Sequence, residues 1–154
     1  MEIVTLSIGL GILFGFLLWE KTGLYPGGWV VPGYVSLFLF QPWIVGILVL
    51  SSILTLILYK ISEFHFLSFG QRKTVFILLL SILVSTVADY FVFLYFGSIS
   101  EFKSGTITIG HIVPGLIVLS AEKQGIPRTF SSILICSVLV RLFLILVLGE
   151  IVYP

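Results

Sequence analysis

Residues 20–34 read EKTGLYPGGWVVPGY, and this stretch decides how the chain can cross a membrane. Glycines, prolines and two adjacent charges interrupt a sequence that is apolar on both sides. A related stretch, GHIVPGLIVLSAEKQG, occupies residues 110–125, and both stretches contain Val-Pro-Gly and the pattern Glu-Lys-x-Gly. Because glycine and proline are the strongest local breakers of regular structure, both stretches are candidates for helix breaks.

The composition of the chain is that of an integral membrane protein. Of its 154 residues, 58% are hydrophobic and 10% are charged, and its mean hydropathy is +1.23. A soluble domain carries about 25% charged residues. The formal net charge is only +1, so the chain offers no basic field for nucleic acid. The amino end has no basic region before its apolar run, and we interpret it as a retained span rather than a signal peptide.

Four apolar runs are long enough to cross a bilayer, since a transmembrane helix needs about 20 apolar residues, with a usual range of roughly 17–25. They occupy residues 3–19, 43–59, 74–96 and 130–148. Two shorter stretches, 29–40 and 106–120, each contain a Val-Pro-Gly tripeptide. If each enters extended and turns helical at its proline, it nearly spans the hydrocarbon core. The predicted fold is therefore all-α, with four long transmembrane helices and two short Pro-Gly-broken segments.

The distribution of lysine and arginine favours six crossings over four, because cytoplasmic loops are enriched in these residues. With four crossings, the cations outside the long runs divide three to four between the two sides. With six crossings, six of these cations share one side and only Lys103 lies opposite. The larger bias predicts six crossings, with both chain ends outside and a cytoplasmic loop at residues 61–73.

This topology makes residues 1–154 a single transmembrane domain with two halves, 1–60 and 74–154, of opposite orientation. Each half contains three segments, and the middle segment of each carries the Pro-Gly break. Inverted repeats with broken helices are a recurrent transporter design, with the functional site at the breaks. An inverted 3+3 repeat is our hypothesis, and the alternative is that glycine and proline are simply frequent in membrane helices.

The sequence contains no motif for catalysis. It lacks a phosphate-binding GxxxxGK[ST] loop, an HExxH zinc motif, a cysteine-rich metal spacing and a GxSxG nucleophile turn. Its two histidines, His65 and His111, are isolated in sequence, and only His111 lies beside a predicted helix break. We expect no catalysis by this chain alone and no metal site.

Two ionisable residues, Asp89 and Arg141, lie within long apolar runs. A charge at membrane depth costs a few kcal/mol, so such residues usually face the interior of a helix bundle and pair. Both residues lie in outward-running segments of the six-crossing topology, within reach of an arginine side chain, which predicts an intramembrane ion pair. The alternative is an anion-conducting role for Arg141.

The Pro-Gly breaks offer a second place for an anionic group. Backbone amides near Pro32 and Gly33, and near Pro114 and Gly115, would be helix amino-terminal donors with a partial positive charge. The alternative is that neighbouring groups satisfy these amides, so that the breaks are only kinks.

Several strings of the sequence resemble the CapC/PgsC family of poly-γ-glutamate capsule biosynthesis. They are EKTGxxPGGxVVPGY, the following Gln41-Pro42, FGQRK at residues 69–73, EFKSGTITIGHIVPGLI at 101–117 and EKQG at 122–125. The resemblance extends over essentially the whole chain in the same order. The run TITIGH before the second Val-Pro-Gly departs from the family pattern, and this departure bears on the role of His111.

The resemblance implies a membrane subunit of a complex that polymerises glutamate through γ-amide bonds and delivers the polymer outside the cell. It implies two partners, a CapB/PgsB-like ligase subunit and a CapA/PgsA-like subunit that lies largely outside. ATP and Mg²⁺ would belong to the ligase, and this chain would hold no cofactor. The implied location is the bacterial cell membrane, as a multi-pass protein.

The residues expected to contact the polymer or a partner lie in the two Glu-Lys turns and at the Pro-Gly breaks. They are Glu20, Lys21, Gly28, Pro32, Gly33, His111, Pro114, Gly115, Glu122, Lys123 and Arg128. Six thin segments enclose little space, so a path for the polymer predicts a homo- or hetero-oligomer. One alternative function is a stand-alone secondary transporter or channel for an anionic solute, which would not depend on a ligase. The other is a purely structural anchor, for which substitutions at Pro32 and Pro114 would alter assembly but not polymer length or export.

Overall fold

The computed structural model describes residues 3–63, 70–96 and 104–148. Six helices account for the regular structure of these residues: α1 (Ile3–Thr22), α2 (Val31–Leu37), α3 (Pro42–Glu63), α4 (Gln71–Phe96), α5 (Ser104–Gln124) and α6 (Ile126–Leu148). Four of them, α1, α3, α4 and α6, are long and apolar enough to cross a membrane. The prediction of an all-α integral membrane protein with four long helices is confirmed.

The two Glu-Lys-x-Gly strings form the same structure, a glycine cap at the carboxyl end of a helix. Gly23 follows α1 with φ 69°, and its N–H donates to the Trp19 carbonyl at 2.7 Å. Gly125 follows α5 with φ 93°, and its N–H donates to the Ala121 carbonyl at 2.8 Å. Glycine suits both positions because a Cβ atom disfavours positive φ.

The first Pro-Gly stretch breaks the chain between α1 and α2. Helix α2 begins at Val31 with Pro32 in its first turn, within one residue of the predicted start. Its entry is bent rather than extended, with bends at residues 27–30 and Val30 at φ −89° and ψ −29°. Because α2 has 7 residues, it is roughly 10 Å long and cannot cross a hydrocarbon core of about 30 Å by itself.

The second Val-Pro-Gly lies inside a continuous helix. Helix α5 has 21 residues and contains Pro114, so the extended entry predicted for residues 106–113 is replaced by helix. Pro114 has no N–H to donate to the Gly110 carbonyl, but a neighbouring helix supplies a donor close by. Ser81 of α4 donates its hydroxyl to the His111 carbonyl at 3.1 Å. The number of crossings, four or six, stays a prediction.

The chain divides into two compact units. The first unit comprises residues 1–46 and 120–154, and in it α2 packs against both α1 and α6. All seven residues of α2 are buried. The second unit comprises residues 47–119, and its apolar core includes Tyr59, Ile77 and Val118. The predicted halves, 1–60 and 74–154, divide the chain differently, and that division stays a prediction.

Candidate functional site

In the first unit, helices α1 and α2 touch through their backbones at two glycines. A Cβ atom on Gly11 would lie 2.5 Å from the backbone nitrogen of Gly33. A Cβ atom on Gly33 would lie 2.6 Å from the carbonyl oxygen of Ser7. Small residues are what allow membrane helices to approach this closely. The structure therefore places Pro32 and Gly33, both predicted site residues, in buried helix packing.

Two buried hydroxyl groups complete the contact between α1 and α2. Ser7 Oγ and Ser36 Oγ each lie 2.7 Å from the Gly33 carbonyl oxygen as donors, and 2.8 Å from each other. Both serines are fully buried. Buried polar groups need hydrogen-bond partners, so these contacts stabilise the buried position of α2 in the first unit.

The side chain of Gln124 joins the two glycine-capped turns. Its Oε1 accepts the N–H of Tyr25 at 2.8 Å, and its Nε2 donates to the Tyr25 carbonyl and to Thr129 Oγ1. The carboxamide thus uses its oxygen and both of its hydrogens. Because Tyr25 follows the cap of α1 and Gln124 precedes the cap of α5, this clasp holds both turns at one end of the first unit.

Five predicted site residues are exposed at this end of the first unit, and we call them the Glu-Lys surface. They are Glu20, Lys21, Glu122, Lys123 and Arg128. The surface carries three positive and two negative charges. Gly28, another predicted site residue, lies in the bent loop that follows Tyr25 and is partly buried.

Aromatic side chains lie beside the Glu-Lys surface. The ring centroids of Trp19 lie 5.9 Å from Tyr25 and 6.1 Å from Trp29, and Trp29 is 39% exposed. Tryptophan and tyrosine concentrate where a bilayer meets water. The cluster supports a position of the Glu-Lys surface at the edge of the membrane.

In the second unit, polar groups of α4 and α5 meet beside Pro114. His111 Nε2 lies 2.9 Å from Asp89 Oδ2, and Ser81 bonds the His111 backbone. Gly115 packs on the same serine, since a Cβ atom on Gly115 would lie 2.6 Å from Ser81 Oγ. The structure therefore brings two predicted site residues, His111 and Gly115, to one interhelical contact, with the third, Pro114, between them in sequence.

Arg141 lies in the first unit, where it is 4% exposed. Its guanidinium carbon lies 4.8 Å from the ring centroid of Phe40, a cation–π contact. The predicted ion pair between Asp89 and Arg141 joins residues of different units and stays a prediction. The contact that the structure shows for the Asp89 carboxylate is with His111 Nε2.

Sequence reasoning missed Gln124, Ser7 and Ser81, each of which positions a predicted site residue. Gln124 stood as the variable position of Glu-Lys-x-Gly, and nothing in that pattern indicates a contact 99 positions away. The two serines carried a usable signal, because hydroxyls within apolar helices commonly bond across helix contacts. Which carbonyl each serine meets depends on how the helices pack.

Comparison with known proteins identifies the family. The family model for capsule biosynthesis CapC matches residues 10–130, which include both Glu-Lys turns and both Val-Pro-Gly tripeptides. The PGA biosynthesis protein CapC of Bacillus subtilis (strain 168) is 37% identical over 134 residues, covering 86% of this chain and 87% of that protein. The capsule biosynthesis protein CapC of Bacillus anthracis is 34% identical with the same coverage. No solved structure matches the chain. The chain therefore belongs to the CapC family of capsule biosynthesis proteins.

Proposed function

We propose that this chain is the membrane subunit of a poly-γ-glutamate synthase and export complex in the bacterial cell membrane. The observation that carries the proposal is the match of the CapC family over residues 10–130. Its relatives are named for PGA and capsule biosynthesis, and they match over nearly their whole length. Four helices long and apolar enough to span support the membrane location.

The chemistry of polymerisation is assigned to a partner. An ATP-dependent amide ligation requires a phosphate-binding site and Mg²⁺, and we place both in a CapB/PgsB-like ligase subunit. This chain would act as a non-catalytic accessory that holds the ligase at the membrane and receives its product. A CapA/PgsA-like subunit would meet the polymer outside the cell.

The Glu-Lys surface is the proposed contact for the ligase and for the growing chain. Its charges have both signs, which favours a protein partner with a complementary pattern over a purely electrostatic surface for anions. The net charge of the surface is positive, which also allows contact with a polymer that carries one carboxylate per residue. Gln124 would act here as a positioning residue, because it fixes the two turns that display Lys21 and Lys123.

The export path is assigned to an assembly rather than to one copy. A polyanion cannot cross hydrocarbon without a protein path, because each unscreened charge is costly there. In the first unit α2 is packed tightly between α1 and α6, and its residues are all buried. A path for the polymer would therefore run between copies of this chain or between this chain and its partners.

The test is polymer synthesis by membranes that contain the ligase, with and without this chain. Labelled glutamate and ATP are supplied, polymer is measured, and the ligase is co-purified with this chain in detergent. We expect polymer and co-purification only when both proteins are present. Equal synthesis without this chain, and no association, would overturn the proposal and favour the stand-alone transporter, which an uptake assay in proteoliposomes would then address.

A pair of charge reversals tests the Glu-Lys surface within the same assay. The double variant Lys21→Glu with Lys123→Glu should lower co-purification and polymer yield at least tenfold. The matched control is Lys60→Glu, an exposed lysine at the end of α3 that lies outside this surface. An equal loss in the control would show a general charge effect and remove the surface from the proposal.

A further inference from the structure

Helix α4 carries three polar residues on one face, Ser81, Ser85 and Asp89. They are spaced by four residues, so their side chains lie above one another along the helix. The outer two residues contact the same residue of α5: Ser81 Oγ donates to the His111 carbonyl, and Asp89 Oδ2 lies 2.9 Å from His111 Nε2. Ser85 lies between these two contacts, so its side chain faces α5 at His111.

The hydroxyl of Ser85 is buried without a partner among the described residues. Ser85 is 8% exposed, and its Oγ has no hydrogen bond. Hydroxyls elsewhere in the described helices commonly donate to a carbonyl four residues earlier, as Ser52, Thr86 and Ser132 do. Ser85 makes no such bond. A buried hydroxyl left in this state costs about 1–3 kcal/mol, so a ligand that meets it would be favoured.

The proline of α5 adds a carbonyl oxygen to this place. Pro114 has no N–H, so the carbonyl of Gly110 lacks its helical donor. Gly110 is adjacent to His111, the residue that both Ser81 and Asp89 contact. Asp89 and Ser85 of α4 thus supply a carboxylate and a hydroxyl, and Gly110, one residue from the contact at His111, supplies a carbonyl oxygen.

These groups are the ligands of a hard cation. Oxygen atoms from carboxylates, hydroxyls and carbonyls suit alkali and alkaline-earth ions, and sulfur or clustered imidazoles suit transition metals. Asp89 brings the one formal negative charge, and its side chain is 56% exposed, which leaves a route for an ion. A single negative charge matches a monovalent ion, because divalent ions usually require several carboxylates or a phosphate.

We propose that Ser85, Asp89 and the carbonyl of Gly110 form a binding site for a monovalent alkali cation. His111 positions the carboxylate by holding Asp89 Oδ2, and Oδ1 faces the ion. The site lies wholly within the second unit and needs neither the ligase nor the polymer. Absence of this cation site would not contradict the proposed synthase function, and failure of the synthase proposal would not contradict the cation site.

The experiment is thermal unfolding of the purified full-length chain in detergent, followed by circular dichroism at rising NaCl with choline chloride keeping the ionic strength constant. A ligand that binds the folded state raises the unfolding midpoint with the logarithm of its concentration. We expect a saturable rise with Na⁺ at constant ionic strength. An unfolding midpoint that is identical in NaCl and choline chloride would overturn the proposal.

Ser85→Ala distinguishes an ion-binding site from a buried serine that simply lacks a hydrogen-bond partner. In choline chloride this variant should be at least as stable as the parent, since it removes a hydroxyl without a partner. In NaCl it should need about tenfold more Na⁺ for the same rise, equivalent to about 1.4 kcal/mol. Asp89→Asn should abolish the rise. Thr86→Ala, which changes an exposed hydroxyl of the same helix, should behave as the parent. If Ser85→Ala and Asp89→Asn keep the parent's response to Na⁺, the assigned ligands are wrong.

Discussion

Val31-Pro32-Gly33 and Val113-Pro114-Gly115 have the same sequence and different structures. The first opens a buried helix of seven residues after a bent loop, and the second lies inside a helix of 21 residues. The residues before each proline account for the difference. Pro26, Gly27 and Gly28 precede the first and cannot continue a helix readily, whereas TITIGH precedes the second and can. In this chain, Val-Pro-Gly opens a new helix where the residues before it have already left the helix, and it is accommodated within a helix where they have not.

The two tripeptides nevertheless pack through the same kind of contact, between a glycine and a serine. The glycine that follows the proline lies against a serine of the preceding long helix, Ser7 for Gly33 and Ser81 for Gly115. Each serine also donates to a carbonyl of the Pro-Gly segment. The pairing of α1 with α2 and of α4 with α5 fits the predicted inverted 3+3 repeat, which itself stays a prediction. The difference is that Gly33 meets backbone atoms and Gly115 meets the end of a side chain.

The largest effect is expected from Gly33→Ala. Its Cβ would lie 2.6 Å from the Ser7 carbonyl oxygen and 2.7 Å from Ile8 Cα, so α1 and α2 must separate. We expect a loss of about 3 kcal/mol of unfolding free energy. Maleimide labelling of Cys136, the single cysteine, should become faster, because this residue is fully buried in α6, which packs on α2.

Gly9→Ala is the matched control for this prediction. A Cβ at Gly9, on the same helix as Gly11, meets no atom within 4 Å. This substitution should be neutral or slightly stabilising, because alanine is the better helix former. If maleimide labels Cys136 as slowly in Gly33→Ala as in Gly9→Ala, the backbone contact between α1 and α2 does not hold α2 in its buried position.

A smaller effect is expected from Gly115→Ala. Its Cβ would lie 2.6 Å from Ser81 Oγ, and this hydroxyl can turn away only by losing its bond to the His111 carbonyl, so we expect a loss of about 1 kcal/mol of unfolding free energy. The penalty should fall by more than half when Ser81 is also changed to alanine, as a double-mutant cycle measured by SDS unfolding would show. A penalty as large as that of Gly33→Ala would erase the distinction between the two tripeptides.

Gln124→Ala tests the clasp that joins the two glycine-capped turns of the first unit. It removes three hydrogen bonds that join Tyr25 and Thr129, two of them at an exposed site, so we expect about 1 kcal/mol of destabilisation. Protease cleavage after Lys21 should become faster as the turn loosens. Gln71→Ala, at the exposed first residue of α4, is the control and should change neither quantity.

The smallest effect is expected from Ser7→Ala. Gly33 keeps the hydrogen bond from Ser36 at 2.7 Å, so we expect a loss of about 0.5 kcal/mol by SDS unfolding. Ser81→Ala should cost more, because Ser81 is the donor to the His111 carbonyl next to the missing N–H of Pro114. If Ser7→Ala cost more than Ser81→Ala, the contact of α1 with α2, and not that of α4 with α5, would depend on its cross-helix hydroxyl.

Much of the fold could be predicted from the order of residues. Apolar runs of helical length fixed the four long helices, because an apolar stretch of that length has few stable places outside a bilayer. The glycines after Glu-Lys ended α1 and α5, and Pro32 lay in the first turn of α2. The extended entry over residues 106–113 was not found, because a Thr-Ile alternation is a weak signal for a strand and is also compatible with a helix.

The sequence by itself determined a helical membrane protein, its Glu-Lys-x-Gly turns, the break before α2 and its family resemblance, since each of these depends on residues close together along the chain. Only the tertiary structure decided that Gln124 clasps Tyr25, that His111 meets Asp89, and that Gly11 and Gly33 touch. The physical reason is that these contacts join residues far apart in sequence. Their partners are selected by packing and hydrogen-bond geometry, and no local pattern of residues records that selection.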